Sequence, residues 1–266
     1  MNRALYLILL LSSVFFACES VIEIDLDESE TRLVIEGILS EDDQQLTVMI
    51  TETASYFDPA EVIRVGGAEI ELVDQQGNRW AVEEKEQGVY MVKVDQLDYQ
   101  MYELVVNVQG QEYRAKSELL PAIPIAEVYG EYQEGFGPIE AGYLIYVRYQ
   151  DPAEVENRYR IRYYIDEELQ NASDDFVVFN DDRNDGQLVN MTMVRKTFEE
   201  GVKMKVELIH FDAPSYAYFS TLGNIIGGGM GPGGGATPAN PTSNWSNEAM
   251  GYFSAQSRDV VNFTVK

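Results

Sequence analysis

One cysteine and one histidine are all that 266 residues contain of the two side chains most used as nucleophiles, bases and metal ligands. With Cys18 alone, no disulfide can close within the chain, so its stability must come from its core. With His210 alone, zinc sites rich in His and Cys have too few ligands. Serine or cysteine catalysis through a histidine base would have to use His210, and Leu208-Ile209-His210-Phe211-Asp212 offers it no recognisable partner. Positive charge is scarce as well: 19 Lys and Arg face 45 Asp and Glu, a net charge of −26. That balance repels phosphate backbones and excludes nucleic acid as a partner; it also argues against the body lying flat on an anionic lipid surface. A bilayer span takes about 20 apolar residues. The charge-free stretch Ala4 to Phe16 falls short and runs into Glu19, Glu23, Asp25, Asp27, Glu28 and Glu30, whose desolvation cost forbids a span extending past Cys18.

What stands at the front is an export signal. Met1-Asn2-Arg3 carries one positive charge, and the apolar run that follows has signal-peptide length. An ordinary secretory cleavage site needs small residues, and Phe15 three places before Cys18 fits that poorly. Val14-Phe15-Phe16-Ala17-Cys18 instead resembles a loose lipobox, in which a cysteine after a small residue becomes the acylated N-terminus. Residues 1–17 are therefore read as a lipoprotein signal peptide, Cys18 as the lipidated residue, and 18–30 as an acidic tether. The body beyond, 45% hydrophobic with 17 tyrosines, has the composition of a globular protein and the length of two domains.

From Thr31 onward the pattern is that of half-buried strands, with apolar and polar residues alternating between short turns. Leu33 to Ile38, Leu46 to Ile50, Ala68 to Val73, Trp80 to Glu84, Val89 to Val94, Tyr102 to Val108 and Glu112 to Ser117 form seven such runs, and Gln109-Gly110 links the last two as a hairpin turn. They predict an N-terminal antiparallel β-sandwich over 31–120, immunoglobulin-like or transthyretin-like. Pro121-Ala122-Ile123-Pro124 breaks the pattern and marks a stiff connector. A second β-rich domain is expected over 121–266, its last strands being Met250 to Ala255 and Val260 to Val265. Within it Asp212 and Pro214 open a helix over 213–226, whose Tyr216, Phe219, Leu222 and Ile226 share one face. A glycine-rich loop, 227–239, follows.

Several stretches invite a chemical reading. The glycine run comes after its helix and lacks the Lys of a phosphate loop. Asp181-Asp182-Arg183-Asn184-Asp185-Gly186 suggests a calcium loop, but Arg183 stands at its third position and Thr192 at its twelfth; an irregular site could still use Asp181, Asp182 and Asp185. Arg148, Arg158, Arg160 and Arg162 make a basic cluster among tyrosines, for which cross-strand pairing with Tyr and carboxylates is the plain explanation. The acids offer many carboxylate pairs and no pattern that favours one. No catalytic residue, metal or cofactor is assigned from these residues.

Ser215-Tyr216-Ala217-Tyr218-Phe219, a glycine-rich gap, Asn240-Pro241-Thr242-Ser243-Asn244, and Gly251-Tyr252-Phe253-Ser254-Ala255-Gln256-Ser257 together resemble the C-terminal signature of the family called domain of unknown function 4249. Cys18-Glu19, Leu33 to Gly37, Gly67 to Ile70, Gly88-Val89-Tyr90 and Tyr113-Arg114-Ala115 fall in the same family's order. The resemblance implies a lipoprotein of Bacteroidota, often encoded beside TonB-dependent outer-membrane transporters, with no established catalytic residues. The expectation is a non-enzymatic accessory or ligand-binding protein on the outer membrane, its groove near Tyr216, Tyr218, Asn240, Asn244, Trp245, Tyr252 and Phe253. A carboxylate-dependent hydrolase and a structural or adhesive surface module are the alternatives.

Overall fold

The computed structural model describes residues 31–53, 62–135, 140–227 and 240–266. The signal peptide, Cys18, the tether and most of the glycine run lie outside the described residues. The first half of the chain forms β1 (Leu33–Ser40), β2 (Gln45–Glu52), β3 (Ile63–Arg64), β4 (Glu69–Asp74), β5 (Arg79–Glu86), β6 (Val89–Lys93), β7 (Met101–Val108) and β8 (Gln111–Glu118). Alternation decides which side faces in: Leu46, Val48 and Ile50 of β2 are buried while Gln45, Thr47 and Met49 are less so. Gln109 and Gly110, both at positive φ, make the two-residue turn between β7 and β8.

The second half contributes β9 (Ile125–Gln133), β10 (Gly142–Gln150), β11 (Arg158–Ile165), β12 (Glu168–Leu169), β13 (Val177–Asn180), β14 (Leu188–Thr192), β15 (Lys203–Phe211), α1 (Ala213–Ile226) and β16 (Met250–Thr264). The helix begins where its cap demands, with the Asp212 carboxylate accepting the Ser215 N–H at 3.0 Å and Pro214 in the first turn. The protein is mainly β, and α1 is the one α-helix among the described residues.

Two sheets carry the fold. The larger runs β12-β11-β15-β16-β1-β2-β6-β5-β4-β7-β8, with β13 beside β11 and β3 beside β2; the smaller runs β14-β10-β9. Its path bends at β5, whose first residues pair with β4 and whose last pair with β6 across a bulge. One core lies inside the curl of β1 to β8. A second lies between the small sheet and β11, β15 and β16, and a third under α1 on the opposite face of β15 and β16.

β16 corrects the expectation of two separate terminal strands. It is a single strand of 15 residues, parallel to β1 over Met250–Gln256 and antiparallel to β15 over Gln256–Thr264. The polar stretch Gln256-Ser257-Arg258-Asp259 reads as a break, yet each charge in it is matched. Arg258 bonds the Asp42 carboxylate, and Asp259 accepts the Ile125 N–H at 2.7 Å. Paired charges let a strand continue where isolated ones would end it. Trp245, Ala249, Phe253 and Ala255, from the far end of the chain, thereby enter the first core.

Candidate functional site

Six of the seven expected ligand residues fall in two places, and Asn240 lies in neither. Asn244, Trp245 and Phe253 lie where the curled sheet closes and β8 comes beside β16 without a backbone ladder. The Asn244 side chain bridges the gap: its Nδ2 donates to Phe253 O at 2.8 Å and Lys116 O at 3.2 Å, and its Oδ1 accepts the Phe253 N–H at 2.9 Å. Ser117 Oγ accepts the Ala255 N–H at 2.8 Å. The Trp245 indole donates to Ile35 O at 2.9 Å, and Phe253 is wholly buried. Ser246 and Asn247 continue along β8, bonding the backbone of Arg114 and Glu112. This segment covers what would be an open strand edge. Asn240 stands apart, exposed at the rim of a cavity of about 580 Å³ shared with Arg32, Ser243, Trp245 and Glu248.

Tyr216, Tyr218 and Tyr252 come together under α1. Rings of Tyr218 and Tyr252 lie 4.5 Å apart, and Phe219 meets Tyr252 at 4.8 Å. Opposite Tyr252 in register is Glu36 of β1, a residue the sequence did not single out. Burial raises the Glu36 carboxyl, and burial followed by Glu36 itself pushes the Tyr218 phenol up to about 12. Tyr252 is raised by the same causes. Among the described residues, Glu36 has no cationic partner and neither phenol a hydrogen-bond partner.

The arginine cluster divides. Arg148 pairs with Glu127 at 2.6 Å and Arg158 with Glu156 at 2.6 Å, both at the surface, where such pairs contribute about 1 kcal/mol or less. Arg162 grips the buried Glu207 through Nε at 3.0 Å and Nη2 at 2.7 Å. Lys205 and Arg258 reach the same carboxylate at 3.2 and 3.7 Å. Plain cross-strand pairing thus accounts for Arg148 and Arg162, while Arg158 pairs with an acid two residues before it in the chain. Arg160 has no acidic partner among the described residues; its guanidinium lies 4.4 Å from the Phe176 ring and 4.8 Å from that of Phe219. The spacing of Arg158, Arg160 and Arg162 places them on one strand face, but only the register with β15 shows which one meets an acid.

In the acidic turn the structure brings Asp151, from the end of β10, to Asp181 and Asp185, leaving Asp182 outside. The three carboxylates lie within 4.8 Å of one another and are the group among the described residues that could share a cation. They already serve as a clasp between loops. Asp151 accepts from the Tyr159 hydroxyl and the Gly186 N–H, Asp181 from the Asn157 N–H at 2.7 Å, and Asp185 from the Glu154 N–H at 2.8 Å.

His210 is buried against Tyr159, with Nδ1 2.7 Å from Pro121 O and Nε2 sealed without a partner. The neutral ring donates from Nδ1. Ser257, opposite it in register, is fully buried and its hydroxyl is unpartnered, so the two form no dyad. Burial lowers the His210 pKa below 6.5, with Arg158 adding to the shift and Pro121 O, Asp151 and Asp181 opposing it. Above about pH 6.5 the ring is neutral folded or unfolded; below it the unfolded chain takes up a proton that the folded chain resists. Stability is therefore expected to fall as the pH drops below about 6.5, and His210→Gln to flatten that fall. Melting curves of both proteins between about pH 7.5 and about pH 5.5 test it, and parallel curves would refute it.

A family model described as a domain of unknown function, DUF4249, matches residues 19–260. No curated protein matches the sequence. Among solved structures the chain is similar to a DUF4785 family protein from Legionella pneumophila, at 9% identity over 67% of this chain and 51% of that one, with a TM-score of 0.27. The chain thus spans about half the length of that protein, and a likeness so slight carries no argument.

Proposed function

We propose, starting from a chain that belongs to the DUF4249 family, that it is a lipid-anchored, non-enzymatic accessory protein capturing a ligand for a TonB-dependent transporter in the outer membrane of a Bacteroidota cell. The observation that carries the ligand-capture reading is the set of polar groups gathered beside α1 without partners among the described residues: Glu36, Tyr218, Tyr252 and Arg160. Of these the Arg160 Nε is sealed from solvent without a partner, and a buried polar group left unpaired points to a function. The clasped carboxylates of Asp151, Asp181 and Asp185 favour a structural over a hydrolytic role.

The family match starts at residue 19, directly after Cys18, which supports a signal peptide ending there. An acyl chain on Cys18 and the tether over 18–30 would hold the body close to the pore, and such confinement raises the effective concentration of captured ligand. We further read the first two cores as two sandwich-like domains meeting near Pro121–Pro124, the first of them immunoglobulin-like.

Cys18→Ala is expected to move the protein from the membrane fraction to the soluble one; retention in membranes after an alkaline wash would end the anchor reading. Deleting the protein should reduce uptake through the partner transporter, and affinity purification from membranes should recover that transporter. Unchanged uptake together with no recovered transporter would overturn the accessory role.

A further inference from the structure

A guanidinium carries five N–H donors in one plane and stays charged at neutral pH, so an arginine taken out of water ordinarily meets a carboxylate or several carbonyls. Among the described residues Arg160 meets neither. It is half-buried on β11, its Nε is sealed from solvent with no hydrogen-bond partner, and its charge rests against the faces of Phe176 and Phe219. Aromatic faces offset part of the charge but accept none of the in-plane hydrogen bonds. Acids are not lacking, since 45 are distributed along the chain. Two residues on, Arg162 takes Glu207, and that one carboxylate is already contacted by Lys205 and Arg258. Arg258 is shared with Asp42 and Asp43, so of these cations Arg160 is the one left without an acidic partner among the described residues.

Desolvation, followed by the repulsion of Arg162, pushes Arg160 down to about 10, which still leaves it protonated at neutral pH. Around it stand the Phe176 and Phe219 rings, with Tyr252 beyond Phe219. A planar fork of donors, set among rings and short of an acceptor, has the form of a receptor for an oxyanion attached to an apolar body.

We infer that Arg160 recognises an anionic group of the ligand, a carboxylate or a phosphate carried on an apolar or aromatic body, through its terminal Nη N–H groups, which have no partner among the described residues. This rests on the ligand-capture reading above and names the chemical class that site takes. Arg162 holds Glu207 and leaves Arg160 as the docking group. Tyr252 supplies a phenol near it, with the Tyr218 ring packed against that of Tyr252.

The test uses the full chain in detergent, with benzoate and phenyl phosphate as probes and benzyl alcohol as the uncharged control. Calorimetry gives the affinity, and the Arg160 Nε–H resonance reports on the guanidinium directly. One or both anions should shift that resonance and bind at least about 10-fold more weakly to Arg160→Gln, while benzyl alcohol does neither. The stronger of the two anions identifies the ligand's acid. Arg148→Gln, which removes a surface ion pair, should bind as the wild type does. Arg160→Lys keeps charge and stem but not the planar fork; weakened binding with an unchanged melting temperature separates recognition from folding. No shift with either anion, or equal affinity in Arg160→Gln, overturns the inference. Anion binding in a protein that never co-purifies with a transporter leaves the inference standing and removes the transporter role. Co-purification without anion binding does the reverse.

Discussion

Gly251→Ala is expected to leave no cooperatively folded protein. Gly251 has φ +91, a conformation that L side chains rarely adopt, and a Cβ there would lie 2.2 Å from Ile35 O, 2.8 Å from Ile35 C and 3.0 Å from Ile35 N. All three are backbone atoms of β1, so no rotamer change can relieve the contact. The strand cannot retreat, because β1 is paired with β2 on its other side throughout its length. Relief would require breaking the parallel β1–β16 ladder, which joins the two ends of the chain. Clash and strain together exceed about 4 kcal/mol, much of the roughly 5–15 kcal/mol that a folded domain has in reserve. Gly110→Ala is the control: Gly110 is also at positive φ, +80, but nothing lies within 4 Å of its would-be Cβ, so it should cost only about 1–2 kcal/mol. Circular dichroism on heating reads both. A Gly251→Ala protein melting within a few degrees of wild type would mean that the β1–β16 approach is looser than described.

Asn244→Ala is expected to destabilise the protein by about 3 kcal/mol. It removes three hydrogen bonds at once and strands the N–H and C=O of Phe253, a residue with no solvent exposure, together with the carbonyl of Lys116. Unsatisfied buried groups cost about 1–3 kcal/mol each, offset in part where water can reach Lys116. Asn244→Asp should be no better. The carboxylate could still accept the Phe253 N–H, but its other oxygen would face two carbonyl oxygens that the amide now serves as donor. Denaturant titration decides the matter. A loss below about 1 kcal/mol for Asn244→Ala would show that the closure of β8 on β16 does not depend on this side chain. A large loss places Asn244 in the scaffold, and the same reasoning extends to Trp245 through its bond to Ile35 O.

These two residues show what a family signature can conceal. Asn244 and the Gly251-Tyr252-Phe253 run stood out as a pattern, and a pattern without coordinates suggests a binding groove. In the structure the pattern has several separate physical reasons. Gly251 permits a close approach to β1, Phe253 fills the first core, and Asn244 spans a seam. Tyr252 alone of the four faces α1 and the partnerless groups there. A sequence records that these residues matter together, but not whether geometry or chemistry requires them.

The local features were legible because their causes are local. Alternating burial shows along β2 and β4 as alternating apolar residues, and turn chemistry shows at Gln109-Gly110. The Asp212 cap and Pro214 start α1 within a four-residue window. The brief strands β3 and β12 escaped notice because two residues are too few to show a period. What the tertiary structure alone decided was who stands opposite whom. Residues 34–40 pair with 250–256 across more than two hundred residues of chain, and nothing near either segment announces it. Register also gave Arg162 its Glu207 and left Arg160 with two phenylalanines. The sequence by itself settled that one cysteine and one histidine leave little for thiol or imidazole chemistry, and that the body is mainly β. It could not place the charges, because a side-chain period records which face of a strand is buried and carries no information about the strand laid beside it.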